Sequence, residues 1–222
     1  MDITTRNLAL SYDWSFEFHE GDSTPLPVVD IARKHLTKTT TTLYIGFGNG
    51  RNARPLLEES YDVYACDASK VAVSKGQTDL PSYKERIQHA DFRDAFPEIP
   101  QFDAVILSRA LIEASVERAT HNLRDLSHRV KPDGLLLFQL PAIGTDLWPA
   151  WSKINMDCGG NITVGYPFGA VDKLYLSFNG ATSILSKAGF QPENGPVPAD
   201  VPRLAHPGGL VRNWLGTARK RG

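Results

Sequence analysis

The stretch TLYIGFGNGRN, Thr42 to Asn52, constrains this chain more than any other: an apolar run ends in three glycines at alternate positions, Gly46, Gly48 and Gly50. Glycine has no Cβ, so the loop is free to take positive φ and to let a ligand lie against its backbone amides. A buried run, a glycine turn and a helical pattern together make a strand–turn–helix unit. Such units assemble into a parallel sheet wrapped by helices.

The pattern recurs downstream. TTLYIGFG reads as a first strand buried on both faces, and RNARPLLEES as a helix capped by Asn52 that tolerates Pro55 only in its first turn. DVYACD is a second strand ending on Asp67, SKVAVSKGQT a short helix, RIQHADF a third strand and FDAVILS a fourth. In SVERATHNLRDLSHRV, Val116, Ala119, Leu123, Leu126 and Val130 recur at helical intervals, which predicts an amphipathic helix stopped by the turn KPDG. LLLFQLPA is a fifth strand, too apolar for an edge. Between Ile143 and Phe178 the pattern dissolves into Gly, Pro and aromatic residues, and long irregular segments of this kind often carry function. NGATSILSKAGF restores a helix ending at Gly189, Pro192 to Pro202 reads as a turn region, and GGLVRNWLGTARKR as an antiparallel last strand.

Composition removes several function classes. With 222 residues and 41% apolar content the chain has material for one well-buried core. A net charge of −1 gives no general affinity for nucleic acid or anionic membranes, and the basic ARKRG end reads as a solvated tail. Cys66 and Cys158 stand far apart with no His or Cys at ligand spacing, so no metal site is expected. The sequence has neither a signal-peptide pattern nor a membrane-length apolar run, so a soluble, unprocessed, cytoplasmic protein is expected.

The acid at the tip of the second strand narrows the ligand. Asp67 follows the glycine loop by about twenty residues, the spacing at which a carboxylate meets ribose hydroxyls while the loop and helix amino terminus face an anion. NAD and FAD sites want G-x-G-x-x-G. Here the third glycine comes one position early, and Arg51 fills the place of the small residue. No Gly-Lys-Ser/Thr follows, which excludes a phosphate-binding P-loop. A loop for S-adenosylmethionine remains. In HADF, Asp91 either accepts from an adenine amino group, with Phe92 holding the base, or caps a turn.

On these residues the chain resembles the class I S-adenosylmethionine-dependent methyltransferases, and within them it is similar to the tellurite-resistance methyltransferases. The likeness runs through GFGNGRNARPLLEESYDVYACDAS, FDAVILSRALIEA, KPDGLLLFQ, TVGYPFGAVDKL and LGTARKR. The resemblance implies an α/β, Rossmann-like fold: a mostly parallel seven-stranded sheet with an antiparallel last strand and helices on both faces. It implies one domain, with a cap at 1–36, a cofactor-binding core at 37–142, a substrate-side insertion at 143–178, and a carboxyl-terminal helix and strands at 179–222. Gly46, Gly48 and Gly50 would cradle the methionine part, Asp67 with Ala68 the ribose, and Asp91 and Phe92 the adenine. Ser108 and Arg109 would lie beneath the sulfonium, with Tyr12 closing over it. His206 and Arg212 match a His and Arg of the family's substrate region, although Pro207 stands where a second Arg is expected. Tyr44 replaces an acidic residue that organises the methionine ammonium, and Phe47 adds bulk to the loop.

Methyl transfer needs alignment and a dry pocket, and a base only for protonated nucleophiles. Tyr12, Trp14, Trp148, Trp151, Tyr166 and Phe168 either exclude water around the sulfonium or close the core beneath long loops. His19, His206 and Arg212 are candidates for holding an anionic substrate or taking a proton, and Glu113 is a candidate base. The expected partner is a small molecule such as a thiol, chalcogen oxyanion or metabolite. A monomer or homodimer without nucleic acid is expected. A non-methylating enzyme using the same pocket, or an inactive regulatory subunit, stands as the alternative motivated by Tyr44 and Phe47.

Overall fold

The computed structural model describes residues 23–112, 115–146, 154–165, 172–202 and 209–222. Helix α1 (Val28–His35) leads to β1 (Thr42–Ile45), α2 (Ala53–Glu58), β2 (Val63–Asp67), α3 (Lys70–Asp79) and, after a 3-10 turn, β3 (Ile87–His89). Strand β4 (Phe102–Ser108), α4 (Val116–Ser127) and β5 (Val130–Pro141) follow. Three short strands, β6 (Ile154–Met156), β7 (Ile162–Val164) and β8 (Lys173–Tyr175), precede α5 (Phe178–Lys187), β9 (Phe190–Pro202) and β10 (Leu210–Lys220).

The main sheet runs β3-β2-β1-β4-β5-β10-β9, with β10 antiparallel to both neighbours and the pairs from β3 to β5 parallel. This is the expected seven-stranded fold. The pleat sends alternate residues of each strand to opposite faces. Leu43 and Ile45 of β1 join Val105, Leu107, Leu136 and Phe138 under α4 and α5, while Tyr44 joins Ile106 and Leu137 under α1, α2 and α3. Two covered faces explain why these strands read as continuous apolar runs. The strand order reverses between β1 and β4, leaving a crevice beyond their carboxyl ends.

Five local expectations are corrected. Asn52 occupies the amino-terminal position of α2 but makes no capping bond with its side chain, which is engaged elsewhere. KPDG lies within β5, where the register with β4 shifts after Phe102↔Val130 and Asp133 takes φ +58°. Pro192 to Pro202 belongs to β9: a strand with a neighbour on one side only can carry prolines whose missing donor faces the open edge. Leu210, Trp214 and Ala218 of β10 stand opposite Pro202, Pro198 and Pro192 in turn. The segment taken as irregular contributes β6, β7 and β8, an antiparallel sheet whose three-residue strands are too short to show a period of two. The basic end is part of β10, where Arg219 pairs with Glu193 at 2.6 Å. Among the described residues no helix is long and apolar enough to cross a membrane.

Candidate functional site

Strand β1 ends in the glycine loop, and all three glycines have positive φ: +79°, +54° and +79° at Gly46, Gly48 and Gly50. Their surroundings differ. A Cβ at Gly46 would lie 3.1 Å from Ala110 Cβ, and one at Gly50 would lie 2.8 Å from Phe47 Cζ. At Gly48 a Cβ would meet nothing within 4 Å among the described residues, so none of them fills the space over the crest of the loop. The loop is strapped to the end of β2: Gly46 and Phe47 donate to the Cys66 carbonyl, and the Gly48 amide donates to Asp67 Oδ2 at 2.7 Å. The other Asp67 oxygen accepts from Ser69 N at 2.7 Å. The carboxylate is thereby held at the foot of the crest, beside Ala68.

Phe47 does not crowd this space. Its ring is buried under α3, where a Cβ at Gly76 would come within 2.7 Å of Phe47 Cζ and closer still to Cε1. The glycine of α3 makes room for the bulky loop residue. Tyr44 is likewise buried, its hydroxyl accepting from Asn52 Nδ2 at 2.8 Å, and burial pushes its phenol pKa up so that the group stays neutral. Asn52 Oδ1 accepts from Leu26 N at 2.8 Å, and Asn52 Nδ2 also lies 3.4 Å from Ser108 Oγ. The position expected to be acidic is thus the root of an uncharged hydrogen-bond row.

After β3, the Asp91 carboxylate accepts from Arg93 N at 2.9 Å and pairs with the Arg93 guanidinium. Asp91 therefore caps a turn, and any contact to adenine is made from that position. The Phe92 ring is buried in the core with the Arg93 guanidinium over it, so its face is not free to stack on a base. Arg129 orders this segment: its guanidinium donates to the carbonyls of Phe92, Arg93, Ala95, Ile99 and Pro100 at 2.7 to 3.2 Å. Its burial lowers its pKa, yet all five contacts demand the charged form. Sequence alone offered no signal for Arg129, because its partners are backbone atoms.

Beyond β4, Arg109 and Leu111 have φ +58° and +62°, and the Arg109 amide donates to the Gln139 carbonyl at 2.8 Å. Two non-glycine residues in the left-handed region mark a strained loop, which folds retain chiefly at functional sites. Ala110 between them packs against Gly46, so this loop and the glycine loop lie against each other. Arg212 lies on β10 near the end of β5, with its guanidinium bidentate to Asp200 at 2.8 Å and with Gly144 alongside. Tyr12, Trp14, His19, Glu113, Trp148, Trp151, Tyr166, Phe168, His206 and Pro207 lie outside the described residues. Among the described residues no three His, Cys, Asp or Glu side chains gather as a metal site. Buried Gln139 and Asn213 were also missed, although a polar residue within LLLFQLPA was a signal.

The crest at Gly48, the anchored Asp67 and the strained loop after β4 fit an adenosyl ligand bearing an amino-acid tail. Residues 42–134 match the family model of the methyltransferase domain. No curated protein sequence matches the chain. Solved structures that share the fold include three methyltransferases. The 1,6-didemethyltoxoflavin N1-methyltransferase of Burkholderia thailandensis is 18% identical, with TM-score 0.72 over 98% of this chain and 87% of that one; its structure holds S-adenosylhomocysteine. A SAM-dependent methyltransferase of Methanosarcina mazei is 13% identical, with TM-score 0.68 over 89% and 99%. A sugar N-methyltransferase of a Streptoalloteichus species is 18% identical, with TM-score 0.61 over 95% and 93%. The chain is thus similar to methyltransferase domains over residues 42–134 and shares the fold of these solved structures.

Proposed function

We propose that this chain transfers a methyl group from S-adenosylmethionine to a small-molecule acceptor, the observation that carries the reading being the glycine crest at Gly48 above the anchored carboxylate of Asp67. S-adenosylmethionine supplies an electrophilic methyl group on a sulfonium, and the protein's contribution is alignment and exclusion of water. Gly46, Gly48 and Gly50 take the methionine part, Asp67 and Ala68 the ribose, and Asp91 with the Phe92 backbone the adenine edge. Ser108 and Arg109 stand below the reacting centre. Tyr12 is assigned to the cofactor, and His19, His206 and Arg212 to the acceptor side, where an anionic or protonated nucleophile would be held. The resemblance to tellurite-resistance methyltransferases rests on the sequence motifs, and a thiol, chalcogen oxyanion or metabolite fits it as acceptor. The proposed setting is the cytoplasm, as a monomer or homodimer acting without nucleic acid. Because Phe47 is housed against Gly76, the crowding that motivated a non-methylating reading lies in the core and not in the crevice.

Isothermal titration with S-adenosylhomocysteine tests the pocket. Wild type is expected to bind, and Asp67→Ala to bind about tenfold to a hundredfold more weakly through loss of charge-assisted hydrogen bonds to ribose. Asp67→Asn separates this loss from slackening of the loop, since its amide oxygen still accepts from the Gly48 amide. No binding to wild type at millimolar ligand would end the proposal.

A further inference from the structure

On the face of the sheet covered by α1, Gln139 and Asn213 are both 0% exposed, and each has one side-chain atom without a hydrogen-bond partner among the described residues: Gln139 Nε2 and Asn213 Oδ1. The orientation of both amides is set by their satisfied halves. Gln139 Oε1 accepts from Val28 N at 3.4 Å and Asn213 Nδ2 donates to Val211 O at 3.3 Å; turning either amide would set donor against donor or acceptor against acceptor. The orphans are therefore a donor and an acceptor. In β5 and β10, Gln139 stands opposite Leu215 and Asn213 opposite Pro141, so the two are diagonal neighbours on one face, within the last three residues of β5.

Gln139 adjoins the loop proposed to lie beneath the reacting centre. Gln139 is the register partner of Ser108, and the Gln139 carbonyl holds the Arg109 amide. Tyr44, Asn52 and Ser108 form the satisfied end of a polar row across the sheet, and Gln139 and Asn213 form its unsatisfied end. Each buried donor or acceptor left unpaired destabilises the fold. A direct bond between the two amides would remove both costs, yet it is not made. What satisfies both at once is a third group that presents an acceptor to Gln139 and a donor to Asn213.

We infer that Gln139 and Asn213 form a recognition site for a cis-amide (lactam) edge, the carbonyl oxygen accepting from Gln139 Nε2 and the ring N–H donating to Asn213 Oδ1. This names the acceptor class of the proposed methyltransferase, a planar lactam-bearing ring, and rests on that reading for the step that follows binding. Val28 and Leu26, hydrogen-bonded to Gln139 and Asn52, lie over the row and bring the segment before α1 across it.

The test compares 2-pyridone with N-methyl-2-pyridone, which keeps the ring and carbonyl but lacks the N–H, by ligand-observed NMR titration of the full chain with and without S-adenosylhomocysteine. Wild type is expected to favour 2-pyridone by about tenfold or more, because a site built to hydrogen-bond a ligand N–H rejects the analogue without it. Gln139→Met and Asn213→Leu should each abolish that preference while leaving S-adenosylhomocysteine affinity within twofold of wild type. Asn213→Leu should also leave Tm level or raised, since it removes an unsatisfied acceptor from the core, and it serves as the folded control if Gln139→Met, which strands Val28 N, is unstable. Equal binding of the two probes, no binding of 2-pyridone, or a preference that survives Asn213→Leu would overturn the inference and leave a buried water as the bridging group. Failure of S-adenosylhomocysteine to bind, with the probe preference intact, would instead overturn the cofactor reading alone.

Discussion

At the residue scale, two glycines with distinct surroundings separate binding from packing. Gly48→Ala meets no atom within 4 Å among the described residues, so against them its stability cost is the backbone strain of positive φ, about 1 kcal/mol. The added methyl occupies the crest where the methionine part is proposed to lie, and calorimetry should show at least a tenfold loss of S-adenosylhomocysteine affinity. Gly76→Ala is the converse. Alanine improves helix propensity by about 1 kcal/mol, but the methyl strikes the buried Phe47 ring, and overpacking of this kind costs about 1–3 kcal/mol. Denaturant unfolding should therefore show net destabilisation, recovered when Phe47→Leu is added. Recovery by the second substitution would establish that Gly76 is there to house Phe47. A Gly76→Ala protein as stable as wild type would mean that the ring has another place to go.

At the scale of elements, the segment after β3 has little regular structure and is held by one side chain. Arg129 precedes β5 and reaches five carbonyls between Phe92 and Pro100, satisfying backbone groups that the turns leave unpaired. Arg129→Met should cost about 2–4 kcal/mol in urea unfolding, the range for losing several charge-assisted hydrogen bonds in a partly buried loop. Arg129→Lys should recover little, since a single ammonium cannot replace a planar fork with five donors. If Asp91 and the Phe92 backbone meet adenine, both variants also weaken S-adenosylhomocysteine while leaving the affinity for free methionine unchanged. The edge strand β9 makes a related point about elements. Its prolines suggested turns because proline is a poor central-strand residue, and only the sheet order reveals that β9 has an open side.

At the scale of the whole molecule, surface carboxyls set the response to acid. Hydrogen bonds from Arg212, Arg219, Arg33 and Lys131 hold Asp200, Glu193, Glu59 and Asp103, respectively, below the ordinary carboxyl range. A carboxyl whose folded value is depressed contributes stability above its unfolded value, near pH 4, and loses it as pH falls through the folded value. Tm should therefore be level from about pH 8 to about pH 5 and decline below about pH 4, with a shallower decline in high salt because these pairs are exposed. A decline already under way at about pH 6 would point to a different titrating group. The sheet and its helices were legible in the sequence because burial on both faces writes continuous apolar runs, and an amphipathic helix writes its own period, as in Val116 to Val130. The glycine loop and Asp67 were legible because backbone freedom and a strand-end carboxylate are properties of single positions at a set spacing. What the sequence by itself determined is thus the order of elements and the nucleoside-binding character of the first strand–turn–helix unit. Only the tertiary structure decided that Phe47 turns into the core against Gly76, that Arg129 gathers five carbonyls, and that Gln139 and Asn213 are each left with an orphaned atom. The physical reason is common to all three: each outcome depends on segments that no local period relates, and on which side chain the packed neighbours leave room for.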